Sequence, residues 1–174
     1  MLNIEGEELS LYIDKETISA RVKELAAQME KDYAGKTLTI LCILKGAFVF
    51  ASDLMRAYKG PCEISFVRLS SYQGTQSTGS VKVATGFIDD LAGKDILIVE
   101  DIVDTGITMN FLFSELKKQK PNSVRLATCF NKPSRRVCEI NPDYTCFEIE
   151  DEFIVGYGLD YDNKYRNLPE IYTK

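Results

Sequence analysis

The hydrophobic positions change period along the chain, and the changes separate helices from strands. Ile18, Val22, Leu25, Ala26, Met29 and Tyr33 recur at helical spacing. With Asp14 placed to cap the start and Gly35 the end, they predict an amphipathic helix over 15–34. Residues 37–44 (TLTILCIL) are nearly continuous in apolar character, the pattern of a strand buried on both faces, as in a parallel sheet. Ala47, Phe50, Ala51, Leu54 and Tyr58 mark a second helix, which Gly60-Pro61 ends. Residues 62–69 (CEISFVRL) and 81–88 (VKVATGFI) read as strands. Between them, 70–80 (SSYQGTQSTGS) carries Tyr72 as its only large apolar side chain. A long polar connection between two strands predicts an extended hairpin whose tip is a mobile lid rather than a plain disordered insertion. Residues 95–99 (DILIV) form the clearest buried strand. Met109, Leu112, Phe113 and Leu116 give the helix after it, stopped at Pro121, and 123–130 (SVRLATCF) is the next strand. Beyond 131 the pattern weakens, with short strands expected at 145–149 and 152–157 before an irregular tail rich in Asp, Asn and Tyr.

Strand–helix–strand units of this length predict right-handed crossovers and a parallel sheet. The fold class is therefore α/β, a central, mostly parallel sheet flanked by helices. A length of 174 residues fits a single domain with a substantial core.

Composition removes whole classes of chemistry. The chain contains no histidine, which excludes Ser-His-Asp and Cys-His catalysis and histidine-ligated zinc. Any general acid or base must be a carboxylate, Lys, Tyr or Cys. The net charge is −5, with no dense basic stripe, so neither a nucleic-acid partner nor a membrane is expected. The five cysteines, Cys42, Cys62, Cys129, Cys138 and Cys146, form no CxxC pair and read as buried free thiols. Glu5, Glu7 and Glu8 stand where a signal peptide would be apolar, so a cytoplasmic protein is expected.

In open α/β sheets ligands bind beyond the carboxyl ends of the strands, so the residues following each strand carry the chemistry. After 95–99 comes Glu100-Asp101-Ile102-Val103-Asp104-Thr105-Gly106-Ile107-Thr108. Its carboxylates suit a polyol or a hard cation such as Mg²⁺. Its Thr-Gly-x-Thr turn opens a helix, where free N–H groups, a close-approach glycine and two hydroxyls suit an anion. Phosphate beside acids beside hydroxyls describes a sugar phosphate. Any one of these residues alone would be an ordinary turn or cap residue; the string as a whole is not. Lys45-Gly46, after 37–44, is a second anion candidate, though alone it reads better as a surface lysine before a glycine turn. Asn131-Lys132-Pro133-Ser134-Arg135-Arg136, after 123–130, could meet a phosphate or a polar ring; taken alone it reads better as solvated charge.

The string IVEDIVDTGIT resembles the phosphoribosyl-pyrophosphate signature of type I phosphoribosyltransferases. Leu44-Lys45-Gly46, Ser71-Tyr72 with Gln76-Ser77-Thr78-Gly79, Lys132-Pro133 with Arg135-Arg136, and VGYGLDYDNKYRNLP at 155–169 narrow the resemblance to hypoxanthine-guanine phosphoribosyltransferases. It runs from about residue 10 to 172, in order and without large gaps.

That resemblance implies a core over about 36–135, a lid over about 65–88 containing Ser71 and Tyr72, and a small hood from about 1–15 and 136–174. It implies transfer of a phosphoribosyl group from 5-phosphoribosyl 1-pyrophosphate to hypoxanthine or guanine, giving IMP or GMP and pyrophosphate, with Mg²⁺ as cofactor. By the same resemblance Thr105, Gly106, Ile107 and Thr108 take the 5′-phosphate. Glu100 and Asp101 take the ribose and metal, and Lys45, Gly46 and Arg166 the pyrophosphate. Asp104 accepts the purine N7 proton, Lys132 bonds the exocyclic O6, Phe153 stacks on the base, Ile154 meets it through backbone, and Asp160 is a second metal ligand. On residue pattern alone, Phe153 would be a core residue and Asp160 a turn acid. Position 107 is an Ile where some relatives carry a long charged side chain, so only its backbone is assigned. The Leu44–Lys45 peptide can be cis in this family, and a homodimer or homotetramer is expected. The rival readings are a phosphoribosyltransferase for another base such as xanthine, a catalytically idle nucleotide-sensing regulator, and a plain interaction module. The intact set of acids and lysines weighs against the last two.

Overall fold

The computed structural model describes residues 1–4, 6–71, 81–85, 87 and 89–174, with backbone alone at 70, 71 and 81–85. The main sheet has six strands in the order β5-β4-β3-β6-β7-β8. They are β3 (Leu38–Leu44), β4 (Cys62–Ser71), β5 (Val81–Thr85), β6 (Asp95–Val103), β7 (Ser123–Asn131) and β8 (Tyr144–Glu148). All neighbours run parallel except β4 and β5, which form the antiparallel base of the expected hairpin. The expected lid residue Tyr72, with the rest of 72–80, lies outside the described residues, as do positions 86 and 88 at the end of the predicted 81–88 strand.

The continuous apolar runs are explained by helices on both faces. Ile40 and Cys42 of β3 with Leu97 and Val99 of β6 face α1 (Lys15–Asp32) and α2 (Phe48–Ala57). The alternate residues Leu41, Ile43, Ile96 and Ile98 face α3 (Ile107–Lys118), against Met109, Leu112 and Leu116. Successive strand side chains point to opposite faces, so a strand covered on both sides must be apolar throughout. Helix α1 starts as its sequence predicts, with Asp14 Oδ1 accepting from Thr17 N at 2.7 Å. Its end differs slightly: the C-cap is Tyr33, and Gly35 takes its left-handed φ of 76° in the turn beyond.

Topology fixes where a ligand can sit. From β3 the chain moves through α2 to β4, and from β6 it moves through α3 to β7 in the opposite direction along the sheet. The adjacent carboxyl ends of β3 and β6 are therefore the switch point, where a crevice opens.

A second, antiparallel sheet forms the hood, in the order β1-β2-β10-β9, from β1 (Leu2–Ile4), β2 (Glu7–Ile13), β10 (Ile171–Thr173) and β9 (Ile154–Val155). The pattern of the chain pointed to none of β1, β2 or β10, and β9 is shorter than the strand expected at 152–157. Residues 144–148 are not hood: β8 pairs parallel with β7, so the main sheet reaches past the expected boundary at 135. Phe130 and Phe147 stack across that pair with ring centroids 5.8 Å apart, which anchors the strand that ends beside the site.

The five cysteines are free; Cys42, Cys129 and Cys146 are buried, while Cys62 and Cys138 are only half-buried. Among the described residues, no helix is long and apolar enough to cross a membrane.

Ile171 is fully buried, where the hood meets the α1–α2 side of the core. Ile171→Ala should cost ~2–5 kcal/mol, the usual range for emptying a core site. Urea denaturation measures it; a loss within error would mean the hood does not contribute to global stability.

Candidate active site at the switch point of the sheet

The end of β6 carries two carboxylates into the crevice. Glu100 is 8 % exposed. Its Oε1 accepts from Asp101 N at 3.0 Å, and Asp101 Oδ1 accepts from Ile102 N at 2.7 Å. Burial, and after it the neighbouring Asp101 charge, push the Glu100 carboxyl well above the usual carboxylate range. Burial also raises Asp101, while its contact with Glu100, the backbone N–H of Ile102 and the Arg166 charge pull the other way. Two desolvated like charges form a site built for a positive or hydroxyl-bearing ligand.

Three distant segments enclose this pair. The Leu44–Lys45 peptide is cis, and Gly46 follows it directly against Asp101. A β-carbon on Gly46 would collide with the Asp101 carboxylate, so any other residue would push that side chain out of place. Gly158 (φ 99°) lies against the Gly46 carbonyl in the same way. Arg166 donates to Gly158 O at 2.7 Å and pairs with Asp160 Oδ1 at 2.5 Å. Of the predicted residues, Gly46 lies against Asp101 and the Arg166 charge acts on it, Asp160 is tied to this corner through Arg166, and Lys45 adjoins Gly46 in the chain.

Beyond the acids, Gly106 (φ 82°) turns the chain into α3, and the first helical bond is Asn110 N to Gly106 O at 2.9 Å. The N–H groups of Thr108 and Met109 precede that bond and have no partner within the helix. They join Thr105 and Thr108 in lining a cavity of about 130 Å³ that runs on to Glu100 and Asp101. Ile107 is 41 % exposed, its side chain turned away to solvent. Wider grooves of about 310 and 570 Å³ run along α1 beside Ser19 and Lys23. They lie on a helix face, away from the strand ends, so volume alone does not locate the site.

The segment after β7 braces this turn from behind. Val137 N and Cys138 N donate to Thr105 O at 2.9 and 3.0 Å. Arg136 donates to Asp104 O at 2.6 Å and also bonds Asn131 Oδ1. A β-carbon on Gly106 would approach Arg136 Cδ and Cys138 O at 3.1 Å each. Lys132 is 8 % exposed, and its Nζ donates to Glu152 O at 2.6 Å. Arg135 Nε lies 2.7 Å from Asp104 Oδ1, an ion pair not aligned as a hydrogen bond. On the hood side Ile154 is buried. Phe153 is 39 % exposed, so it is not the core residue its sequence pattern suggests. Its ring meets Tyr161 edge-on at 5.7 Å and has Lys174 Nζ 5.4 Å from its centroid.

The phosphoribosyl transferase domain family matches residues 12–162. A hypoxanthine-guanine phosphoribosyltransferase of Streptococcus thermophilus is 44 % identical over 172 residues, covering 94 % of this chain and 96 % of the relative. One from Aquifex aeolicus is 40 % identical, covering 99 % and 98 %. A crystal structure of a hypoxanthine-guanine phosphoribosyltransferase from Bacillus anthracis superposes with a TM-score of 0.91 at 41 % identity, covering 96 % of this chain and 99 % of that one. The chain belongs to the hypoxanthine-guanine phosphoribosyltransferase family. As a phosphoribosyltransferase it has the type I fold, with the signature string at the switch point. Sequence reasoning placed Arg136 and Gly158 within matching segments but missed their supporting roles: Arg136 holds the Asp104 backbone, and Gly158 shapes the Gly46 loop. Their contacts are long-range, so no local spacing marks them.

The Glu100 carboxyl gives a pH prediction. A carboxyl whose value is raised on folding adds stability while it is protonated and loses that contribution as pH rises through its folded value. At neutral pH, above the ordinary glutamate value, keeping Glu100 buried therefore weakens the ligand-free protein. Glu100→Gln should melt at a higher temperature than the parent at pH 7–8, with the gap closing as pH falls toward the ordinary glutamate value of about 4.3. Melting curves across that range test this; parallel curves would mean that Glu100 is not held against its preference.

Proposed function

We propose that the protein transfers the 5-phosphoribosyl group of 5-phosphoribosyl 1-pyrophosphate to hypoxanthine or guanine, releasing pyrophosphate and salvaging the base as IMP or GMP. The observation that carries this reading is the junction of Glu100 and Asp101 with the Gly106 turn, between the Lys45-Gly46 loop on one side and Lys132 on the other.

In this reading the 5′-phosphate sits on the turn from Thr105 to Thr108, against helical N–H groups and two hydroxyls. Glu100 and Asp101 receive the ribose hydroxyls, which suits acceptor-only groups. Lys45, Gly46 and Arg166 receive the pyrophosphate. Phe153 offers a ring face to the base and Ile154 closes its edge. Lys132 donates to the O6 with a proton not used by Glu152, which favours a 6-oxo base over a 6-amino one. Asp104 accepts the N7 proton as the bond to the ribose forms, a role open to a carboxylate in a chain without histidine.

Mg²⁺ fits the acids by chemistry. It usually takes one or two carboxylates together with substrate phosphates, so Glu100 and Asp101 would hold it, with Asp160 as a second ligand, and its charge would offset that of the leaving pyrophosphate. Among the described residues no three acids or cysteines converge as a metal cage.

The test is product formation. Incubation with the donor, Mg²⁺ and hypoxanthine or guanine should yield the monophosphate and pyrophosphate, and adenine and a pyrimidine should not substitute. No product with either 6-oxopurine would overturn the proposal. Asp104→Asn keeps the shape but cannot take a proton, so turnover should fall by roughly 10²–10⁴ with donor binding little changed. A loss below tenfold would remove Asp104 from the proton path.

A further inference from the structure

Asp104 and Lys132 carry opposite charges from the ends of adjacent parallel strands. Val103 and Asn131 are paired in the ladder, and Lys132 N donates to Val103 O at 2.9 Å. Two such side chains would ordinarily close on each other and fill the space between them. Here, among the described residues, no ion pair joins Asp104 to Lys132. Instead each is turned to one end of a spacer. Arg135 Nε lies 2.7 Å from Asp104 Oδ1, and Arg135 NH1 lies 2.9 Å from Asp151 Oδ2. Asp151 Oδ1 in turn lies 3.6 Å from Lys132 Nζ, which Glu152 O holds from another direction. The signs alternate along the chain of contacts, so each end group already has an attractive neighbour other than the opposite end.

We propose that Arg135 and Asp151 are positioning residues that hold Asp104 and Lys132 at the spacing of the two polar atoms, N7 and O6, which a 6-oxopurine presents on one edge. The inference rests on the roles proposed above for Asp104 and Lys132, and adds what sets the distance between them. The guanidinium suits this task because it is a flat, rigid fork whose nitrogens point in fixed directions. Its Nε lies beside one carboxylate as an ion pair and its NH1 hydrogen-bonds another, so the guanidinium stands between the two and spaces them. A lysine at 135 is a single point charge and cannot span both. The pairing covers Asp104 Oδ1, which is sealed from solvent, and leaves the other oxygen for the incoming proton. Arg135 and Asp151 themselves are open to solvent, with side chains 44 % and 53 % exposed. They form an outer layer behind the two groups that meet the base, and replacing them empties no core site.

The experiment compares Arg135→Ala, Arg135→Lys, Asp151→Asn and the Arg135→Ala/Asp151→Asn double variant, measuring kcat and KM for hypoxanthine and KM for the donor separately. Arg135→Ala and Asp151→Asn should each lower kcat/KM for the base by about ten- to a hundredfold, the scale of an ångström-sized misplacement of a reacting group. Donor KM should hold, because the turn and the acids keep all their contacts. Arg135→Lys should recover only a small part of the loss. The double variant should be no worse than the poorer single one, as expected for two residues acting as one unit. Base kcat/KM unchanged in both single variants would overturn the proposal, and so would an equal rise in donor KM, which would mark general damage to the site. Asp104→Asn and Lys132→Gln serve as controls for the underlying reading. If they leave base turnover intact, the site assignment itself fails. If they abolish it while Arg135→Ala and Asp151→Asn do not, only the positioning role fails.

Discussion

Two mutually repelling carboxylates, desolvated at the end of the central strand, set the terms for the rest of the molecule. Glu100 and Asp101 would be far more comfortable in water, and the fold holds them out of it. That requires walls that come close without adding bulk, which is why glycine stands at 46 and 158. It also requires a cation nearby that does not neutralise the pair outright. Arg166 meets this need, because its guanidinium is shared with Asp160 and the Gly158 carbonyl. A site held in this condition trades stability for readiness, a common compromise where ligands complete the charge balance.

The main sheet was legible because its signals are local. Continuous apolar runs gave β3, β6 and β7, helical spacing gave all three helices, and the string from Glu100 to Thr108 placed acids and anion turn on one strand end. The hood was not legible. Its strands are short, and β2 leaves Leu11 and Tyr12 exposed, so no clean alternation marks a buried face. Strand β6 also runs through its acids to Val103, beyond the point where polar residues suggested that it stops. Phe153 shows the opposite failing. An aromatic among aliphatic residues reads as core, yet Phe153 is partly exposed, so the residue pattern misjudged its burial.

The two halves of the proposed site are organised differently. On the side proposed for phosphate, backbone dominates: a left-handed glycine, a helix start, and a carbonyl bonded by the following loop. On the side proposed for the base, side chains dominate, through Lys132, Arg135, Asp104 and Asp151, which are held mainly by ion pairs. Backbone sites tolerate sequence change around them, whereas the ionic arrangement on the base side depends on particular residues. Drift in substrate preference within such a fold is therefore expected to begin in the segments 132–136 and 150–154.

The hood sheet joins residues near opposite ends of the sequence: Ile13 is opposite Ile171, and Tyr172 is opposite Leu11. Contacts at such separation form late, because closing a long loop costs entropy before any pairing rewards it. The main sheet, with shorter crossovers, can assemble first and carry a finished anion turn while the hood is still loose. Native-state opening should follow the same seam in reverse, with the small sheet detaching as a unit before the six-stranded one. Such a partly open form would keep the Gly106 turn with Asp104 and Lys132, all carried by the six-stranded sheet, and would loosen Phe153 and Ile154 beside the small sheet.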